Sequence, residues 1–394
     1  MPNFIAHFPV KIVFGEGQLA NIGVHAAPLG RKAMVVVDPY WVAAGLADKT
    51  ADLLRSSGVE AMIASDFSPN PLCSEIDRLG EVARVERCDM VVGLGGGSAV
   101  DAAKAVAVIA THEGSIDEYV RWHRTPKPVT AATLPIIAVP TTSGTGAEAT
   151  IAAVMSDTVT HRKTAVVSPH IYPRVAIVDP ELSASMPPSL TAATGLDALS
   201  HAMEAILCLP LRNYFSDMVA FEAVATVAHY LPRAYNNGAD MEARAKMAWA
   251  STLGGISIAT SGTTTPHALA QPLGVHKNWH HGLTIAIFLP AILEHSWEAD
   301  LPTFNRLATA LGVPQSGLSV GARARSVAGK VRELMEVTGL NAQIAQLSIS
   351  RATADAIVED AVAYLRALVD RHVKPFSRKE LAHIVEQSIT IVSN

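Results

Sequence analysis

Along the first half of the chain, short and uniformly apolar runs alternate with stretches whose apolar residues recur at helical spacing. Residues 33–37, 90–94 and 136–139 read as strands, and 47–57, 75–87 and 99–110 read as helices. Strands apolar at successive positions are buried on both faces, so this rhythm predicts a parallel sheet covered by helices on its two sides. After Val178 the texture changes. Pro180, Pro187 and Pro188 punctuate the chain, and beyond them lie long Ala- and Leu-rich stretches of helical period with few strand candidates. From Pro314 onward the pattern is that of ordinary amphipathic helices. The expected fold class is α/β plus all-α, with an N-terminal parallel-sheet domain over 1–184 and a C-terminal helical domain over 185–394.

Composition narrows the range of functions. With 394 residues, 49% hydrophobic and 17% charged, the chain suits a well-buried two-domain globular protein rather than a disordered or scaffold-like one. Its 31 Lys and Arg against 36 Asp and Glu give a net charge of −5, which offers no basic field to recruit nucleic acid or an anionic membrane. Cys73, Cys88 and Cys208 are odd in number and far apart, which argues against a disulfide framework or a thiolate zinc knot and for a reducing cytoplasm. The N-terminal segment has neither the basic start nor the apolar stretch of a signal peptide. The longest apolar run, 283–293, is about half the length a bilayer needs and contains Pro290. The expected location is therefore cytoplasmic.

Two loops carry candidate binding chemistry. Gly95, Gly96, Gly97 and Ser98 stand between a buried strand and the helix that follows. Glycines let the backbone approach an anion, and a helix N-terminus supplies unpaired N–H groups and partial positive charge. The alternative is a tight strand-to-helix turn without a ligand, since the spacing is not the usual dinucleotide fingerprint. A second loop, 140–146, sets Thr141, Thr142, Ser143 and Thr145 beside Gly144 and Gly146 after another strand, at the sheet edge where ligands of open α/β folds sit. Asp38 follows the 33–37 strand. A carboxylate there either hydrogen-bonds a ribose 2′-OH, which predicts NAD over NADP, or caps the helix that begins at Pro39.

The sharpest chemical pattern lies in the second half. Asp197 and His201 are four residues apart in a helical stretch, which puts both on one face, and their apolar neighbours mark an interior helix. Such a pair either grips a cation or forms a hydrogen bond on a surface helix. His267, His276, His280 and His281 cluster within one short region. A carboxylate with several imidazoles and no nearby thiol suits a divalent ion such as iron or zinc.

These features occur in the stretches GLGGGSAVDAAKA, PTTSGTGAE, TAATGLDALSHAMEA and HHGLTIAIFLPAIL. With them in this order the chain resembles, over essentially its whole length, the iron-containing (group III) alcohol dehydrogenase family. The resemblance implies a nucleotide-binding α/β domain followed by a helical metal-binding domain, with the active site between them. It implies metal ligands at Asp197, His201, His267 and His281, with Fe2+ as the ion and Zn2+ the alternative. It implies NAD contacts at Asp38, Asn70, Gly96, Gly97, Ser98, Asp101, Thr141, Thr142, Thr145 and Lys163, and a homodimer or larger homo-oligomer. The implied reaction moves a hydride between NAD and a small alcohol, diol or hydroxy acid and its carbonyl form.

One position departs from the family pattern. Many members carry a histidine four residues after the first of the HxxxH pair, and here that residue is Gln271. Gln271 can hydrogen-bond substrate but cannot titrate, so the proton must leave by water, the cofactor ribose, His276 or His280. Three other readings stay open. A dehydroquinate-synthase-like lyase would need a basic pocket, and no Lys/Arg cluster beyond Lys277 is evident around Asp197 to His281. A maleylacetate-reductase-like enzyme would need a carboxylate-binding cation, and a catalytically dead nucleotide-binding protein would not need the ligand set at all.

Overall fold

The strand-like runs form the sheet because their side chains are apolar on both faces. A computed structural model, which describes residues 3–121, 124–160 and 162–392, gives in order β1 (Lys11–Phe14), α1 (Ile22–Ala26), β2 (Lys32–Val37), α2 (Pro39–Ala43) and α3 (Leu46–Ser56). Next come β3 (Glu60–Ala64), α4 (Cys73–Val85), β4 (Met90–Gly95), α5 (Gly97–Ile109), β5 (Ile136–Pro140), β6 (Ala152–Ser156), β7 (Lys163–Val167) and β8 (Val175–Val178). The order across the sheet is β1-β8-β5-β4-β2-β3 and every neighbouring pair is parallel, while β6 and β7 form a separate antiparallel hairpin.

Alternation along β2 builds two cores. Ala33, Val35 and Val37 pack with Ile22 and Ala26 of α1 and Ala47 and Leu54 of α3. Met34 and Val36 face the other way, into a cluster with Ile76 and Leu79 of α4 and Ala102 and Val106 of α5. The chain leaves β2 for β3 on one side and then places β4 on the other, so the carboxyl ends of β2 and β4 flank a topological switch point. Asp38 and the Gly95–Gly97 turn both lie there.

The helix expected over 75–87 runs from Cys73 to Val85 instead. Its start moves back because Glu75 accepts the Leu72 N–H at 2.8 Å and also binds Ser68, which satisfies backbone donors ahead of the first turn. It stops early because Arg87 takes a φ of 55°, outside the right-handed helix.

Among the described residues, those within 184–394, 1–7 and 143–145 cluster as one compact unit, and those within 8–142 and 146–183 as the other. The first of these is built on α6 (Pro188–Leu207), α7 (Tyr214–Asn236), α8 (Met241–Thr260), α9 (Thr265–Lys277) and α10 (His281–Glu294), followed by further helices. It is not wholly helical, because Ser348–Ser350 and Thr390–Val392 pair as a short parallel ladder whose Ile349 is buried. Helix α6 is buried along nearly its entire length and packs on α7, α8 and α10. Close approach depends on glycine. A methyl group on Gly282 would lie 2.1 Å from the Ala193 carbonyl oxygen, and one on Gly195 would lie 2.3 Å from Leu231. The buried Arg244 guanidinium fixes the approach to α6 by donating to the carbonyls of Ala184, Met186 and Gly238 and to Thr191 Oγ1. Among the described residues no helix is long and apolar enough to cross a membrane.

Candidate metal centre and dinucleotide cradle

Helix α6 presents Asp197 and His201 one turn apart, α9 contributes His267 from its first turn, and α10 contributes His281 as its first residue. Their tips converge. His267 Nε2 lies 3.2 Å from His201 Nε2 and 3.3 Å from His281 Nε2, and Asp197 Oδ1 lies 3.8 Å from the Nε2 atoms of both His201 and His281. Asp197, His201 and His267 are buried, and His281 is half-buried. Asp197, His267 and His281 each offer a ligand atom within 4.8 Å of the others, and His201 joins through its contacts to His267 and Asp197.

The outer ring nitrogens decide what the inner ones can do. His267 Nδ1 meets Glu204 Oε1 at 2.7 Å, and His201 Nδ1 meets the Gly144 carbonyl oxygen at 3.3 Å. Both partners accept only, so each Nδ1 carries the proton and each Nε2 turns a lone pair inward. One lone pair on His267 Nε2 cannot bind two neighbouring imidazoles well, and Asp197 Oδ1 is buried with no hydrogen-bond partner. A divalent cation satisfies all four atoms at once, so the residues present fit the ion their donor set implies.

The electrostatics agree with the geometry. Burial, helped by the neighbouring His267, pushes the His201 imidazole below its ordinary value against the pull of Asp197. Burial also works against a charge on His267, but the Glu204 carboxylate, its hydrogen bond and Asp197 outweigh it and raise His267 above the ordinary value. Glu204 itself, fully buried, would be pushed up by desolvation, yet His267, Ser200 and Thr264 hold its carboxyl below the usual carboxylate range. This field favours positive charge at the convergence point. Among the described residues no lysine or arginine pairs with either carboxylate of the cluster.

In the sheet unit, the glycine turn and Asp38 meet. Gly96 donates its N–H to Asp38 Oδ2 at 2.7 Å, while α2, which Asp38 precedes, has no side-chain cap. The capping reading of Asp38 is therefore not what the structure shows. Burial raises the Asp38 carboxyl above its ordinary value, partly offset by that N–H. Helix α5 opens at Gly97, also without a side-chain cap, which leaves its first amides to an external acceptor. Thr142 borders Gly96, and Thr141 Oγ1 accepts a hydrogen bond from Trp41 Nε1 at 3.0 Å. A second group gathers nearby in the chain fold: Lys163 donates to Asn70 Oδ1, and Ser98 donates to the Pro69 carbonyl. Asp101 accepts from Val154 N–H with one oxygen, while Oδ1 is buried without a hydrogen-bond partner and faces Lys104 Nζ at 3.7 Å. Burial pushes the Lys163 ammonium down to about 8 against the opposing charge of Asp101.

Comparison with known proteins gives this arrangement its context. The description "Iron-containing alcohol dehydrogenase" matches residues 9–180, and "Fe-containing alcohol dehydrogenase family, C-terminal" matches residues 191–389. The chain belongs to the iron-containing alcohol dehydrogenase family. It is 36% identical to a choline dehydrogenase of Bacillus subtilis (strain 168), over 83% of this chain and 81% of that one. It is 32% identical to an NAD-dependent methanol dehydrogenase of Bacillus methanolicus, over 92% of this chain and 93% of that one. An archaeal alcohol dehydrogenase from a Red Sea brine pool, a solved structure, superposes with a TM-score of 0.91 at 31% identity, covering 98% of this chain and 99% of that one. As a member of the iron-containing alcohol dehydrogenase family the chain is an alcohol oxidoreductase that uses a metal and a nicotinamide dinucleotide.

For a family member, the structure brings together all four residues expected at the metal and groups most of those expected at the cofactor. Thr145 is set apart, because 143–145 cluster with the helical unit. Gln271 is half-buried on α9, one turn beyond His267, whereas His276 and His280 are exposed. Sequence reading missed Glu204 and Trp41, and it missed the part the Gly144 carbonyl plays as acceptor for His201 Nδ1. Glu204 follows His201 by three residues in an Ala-rich interior helix, where an acidic side chain without a purpose is costly. That cost was the one signal that could have found it.

Proposed function

We propose that this enzyme oxidises a small, primary-type alcohol, diol or hydroxy acid, and reduces the matching carbonyl, with NAD as the hydride carrier. The metal is Fe2+, with Zn2+ the alternative, held by Asp197, His201, His267 and His281. Residues 1–184 serve the cofactor and 185–394 the metal. The protein works in the cytoplasm, in keeping with its three scattered cysteines, and as a homodimer or larger homo-oligomer, as the family resemblance implies.

The convergence of three imidazole Nε2 atoms and the unpartnered Asp197 Oδ1 carries this reading. When bound, the cation supplies Lewis acidity to an alcohol or carbonyl oxygen and the nicotinamide supplies the hydride chemistry. The chain's own residues do the positioning. Asp197 contributes negative charge that offsets the ion's, and the Nδ1 hydrogen bonds of His201 and His267 hold their rings in the ligating tautomer. Gly95 to Ser98 approach the pyrophosphate. Asp38 would repel a 2′-phosphate and accept from a ribose hydroxyl, which accords with the NAD dependence named for the Bacillus methanolicus relative. Asn70, Asp101, Thr141, Thr142, Thr145 and Lys163 complete the cofactor contacts. Gln271 donates or accepts a hydrogen bond at the substrate and leaves proton transfer to solvent or the cofactor ribose.

Replacing His267 with Ala tests the assignment. Metal content by elemental analysis should fall to background and NADH formation by more than about 100-fold, about 2.7 kcal/mol of transition-state stabilisation. NAD affinity should hold. Full metal occupancy in that variant would contradict the ligand assignment, and a wild type that turns over alcohols with no net NADH formation would contradict the redox reading.

A further inference from the structure

Helix α6 carries a third ionisable group on the face that bears Asp197 and His201. Glu204 lies seven residues after Asp197 and three after His201, and its side chain is fully buried. A carboxylate in that position would be costly unless both of its oxygens were hydrogen-bonded. Here they are. Oε1 accepts from His267 Nδ1 at 2.7 Å and from Ser200 Oγ at 2.6 Å, and Oε2 accepts from Thr264 N–H at 2.6 Å. Thr264 is the residue from which α9 departs, so one side chain on α6 fixes both the start of α9 and the ring its first turn carries.

We propose that Glu204 is a positioning residue of the metal centre, which locks His267 in its Nδ1–H tautomer and supplies the second buried negative charge that balances a divalent ion. The inference rests on the metal reading above. Asp197 and Glu204 together carry −2, matching a cation of +2 among three neutral imidazoles. A glutamine cannot imitate this, because donors face both oxygens. With its oxygen toward His267, the amide N–H group confronts the Thr264 N–H. With its N–H group toward His267, the ring proton moves to Nε2 and blocks the ligating lone pair.

The test uses the full chain, with Co2+ as the probe ion, read by its visible absorption and by metal release from the loaded enzyme to excess chelator. Glu204→Gln should weaken Co2+ binding by about 10- to 100-fold and alter the absorption band, as loss of a carboxylate behind a ligating histidine does. Glu204→Asp, which keeps the charge on a shorter arm, should weaken it by a smaller factor. Asp217→Asn is the control for mere structural damage: Asp217 is a buried carboxylate of the same unit, paired with Arg212 at 2.7 Å and Arg306 at 3.1 Å. That variant should melt earlier with unchanged Co2+ affinity. Unchanged affinity in Glu204→Gln, or an equal loss in Asp217→Asn, would overturn the proposal. Should Glu204→Gln fail to fold, Glu204→Asp decides on the same readings, weakened binding supporting the proposal and wild-type binding overturning it. A wild type that takes up no stoichiometric Co2+ would instead sink the metal reading itself.

Discussion

At Gly95 the backbone takes a φ of +148°, and a methyl group there would come within 2.2 Å of Asp38 Oδ2 and 2.8 Å of Ala99 Cβ. Both the conformation and the space belong to glycine. Gly95→Ala should therefore push Asp38 off the Gly96 N–H and lower NAD affinity at least about tenfold, some 1.4 kcal/mol, while leaving metal content at the wild-type level. A fluorescence titration with NADH reads the first quantity and elemental analysis the second; unaltered NADH affinity would show that the turn does not cradle the dinucleotide. The glycine run and Asp38 were both legible in the sequence as candidates, since each rests on local grammar. Their mutual hydrogen bond was not, because it depends on β2 and β4 being neighbours, a fact of topology 58 residues apart in the chain. Glu204 was illegible for the same reason, as its partner His267 lies 63 residues on.

Among the elements, the segment around His372 shows how the helical unit is tied together and how it should respond to acid. His372 is buried and forms an antiparallel bridge with Cys208, just beyond the end of α6. Ser296 Oγ spends its proton on the Ile292 carbonyl at 2.6 Å, so His372 Nε2–H donates to Ser296 Oγ at 2.9 Å, and Nδ1 takes its bond from Thr264 Oγ1 at 3.0 Å. Burial pushes this imidazole down to about 4, only partly opposed by Glu204. Because the folded value lies below the unfolded 6.5, the unfolded chain binds the extra proton between these limits. The contribution is intact above pH 6.5 and is lost as pH falls toward 4, on the order of a few kcal/mol. Urea unfolding across that range should show a shallower loss of stability in His372→Gln than in wild type, and parallel curves would refute the assignment. At this scale the sequence reveals elements better than their arrangement. The runs at 33–37, 90–94 and 136–139 declared themselves because both faces are apolar, whereas β1 has no such pattern and is a strand because β8 lies beside it.

For the molecule as a whole, two family descriptions covering 9–180 and 191–389 agree with the four sequence stretches that first suggested the family. Whole-chain likeness was legible because those stretches combine chemistry with order along the chain. The metal's identity was not, since nitrogen and oxygen donors serve iron and zinc alike. The closure proposed for Asp197, His201, His267 and His281 on one ion is probed by X-ray absorption at the metal edge of the purified protein. The prediction is one equivalent of metal with a first shell of nitrogen and oxygen at about 2.0–2.2 Å, the outer-shell signature of three imidazoles, and no sulfur. The absence of sulfur follows from Cys73, Cys88 and Cys208 being buried and lying outside the cluster. Protein without stoichiometric metal, or a spectrum with sulfur or fewer than three imidazoles, would contradict it.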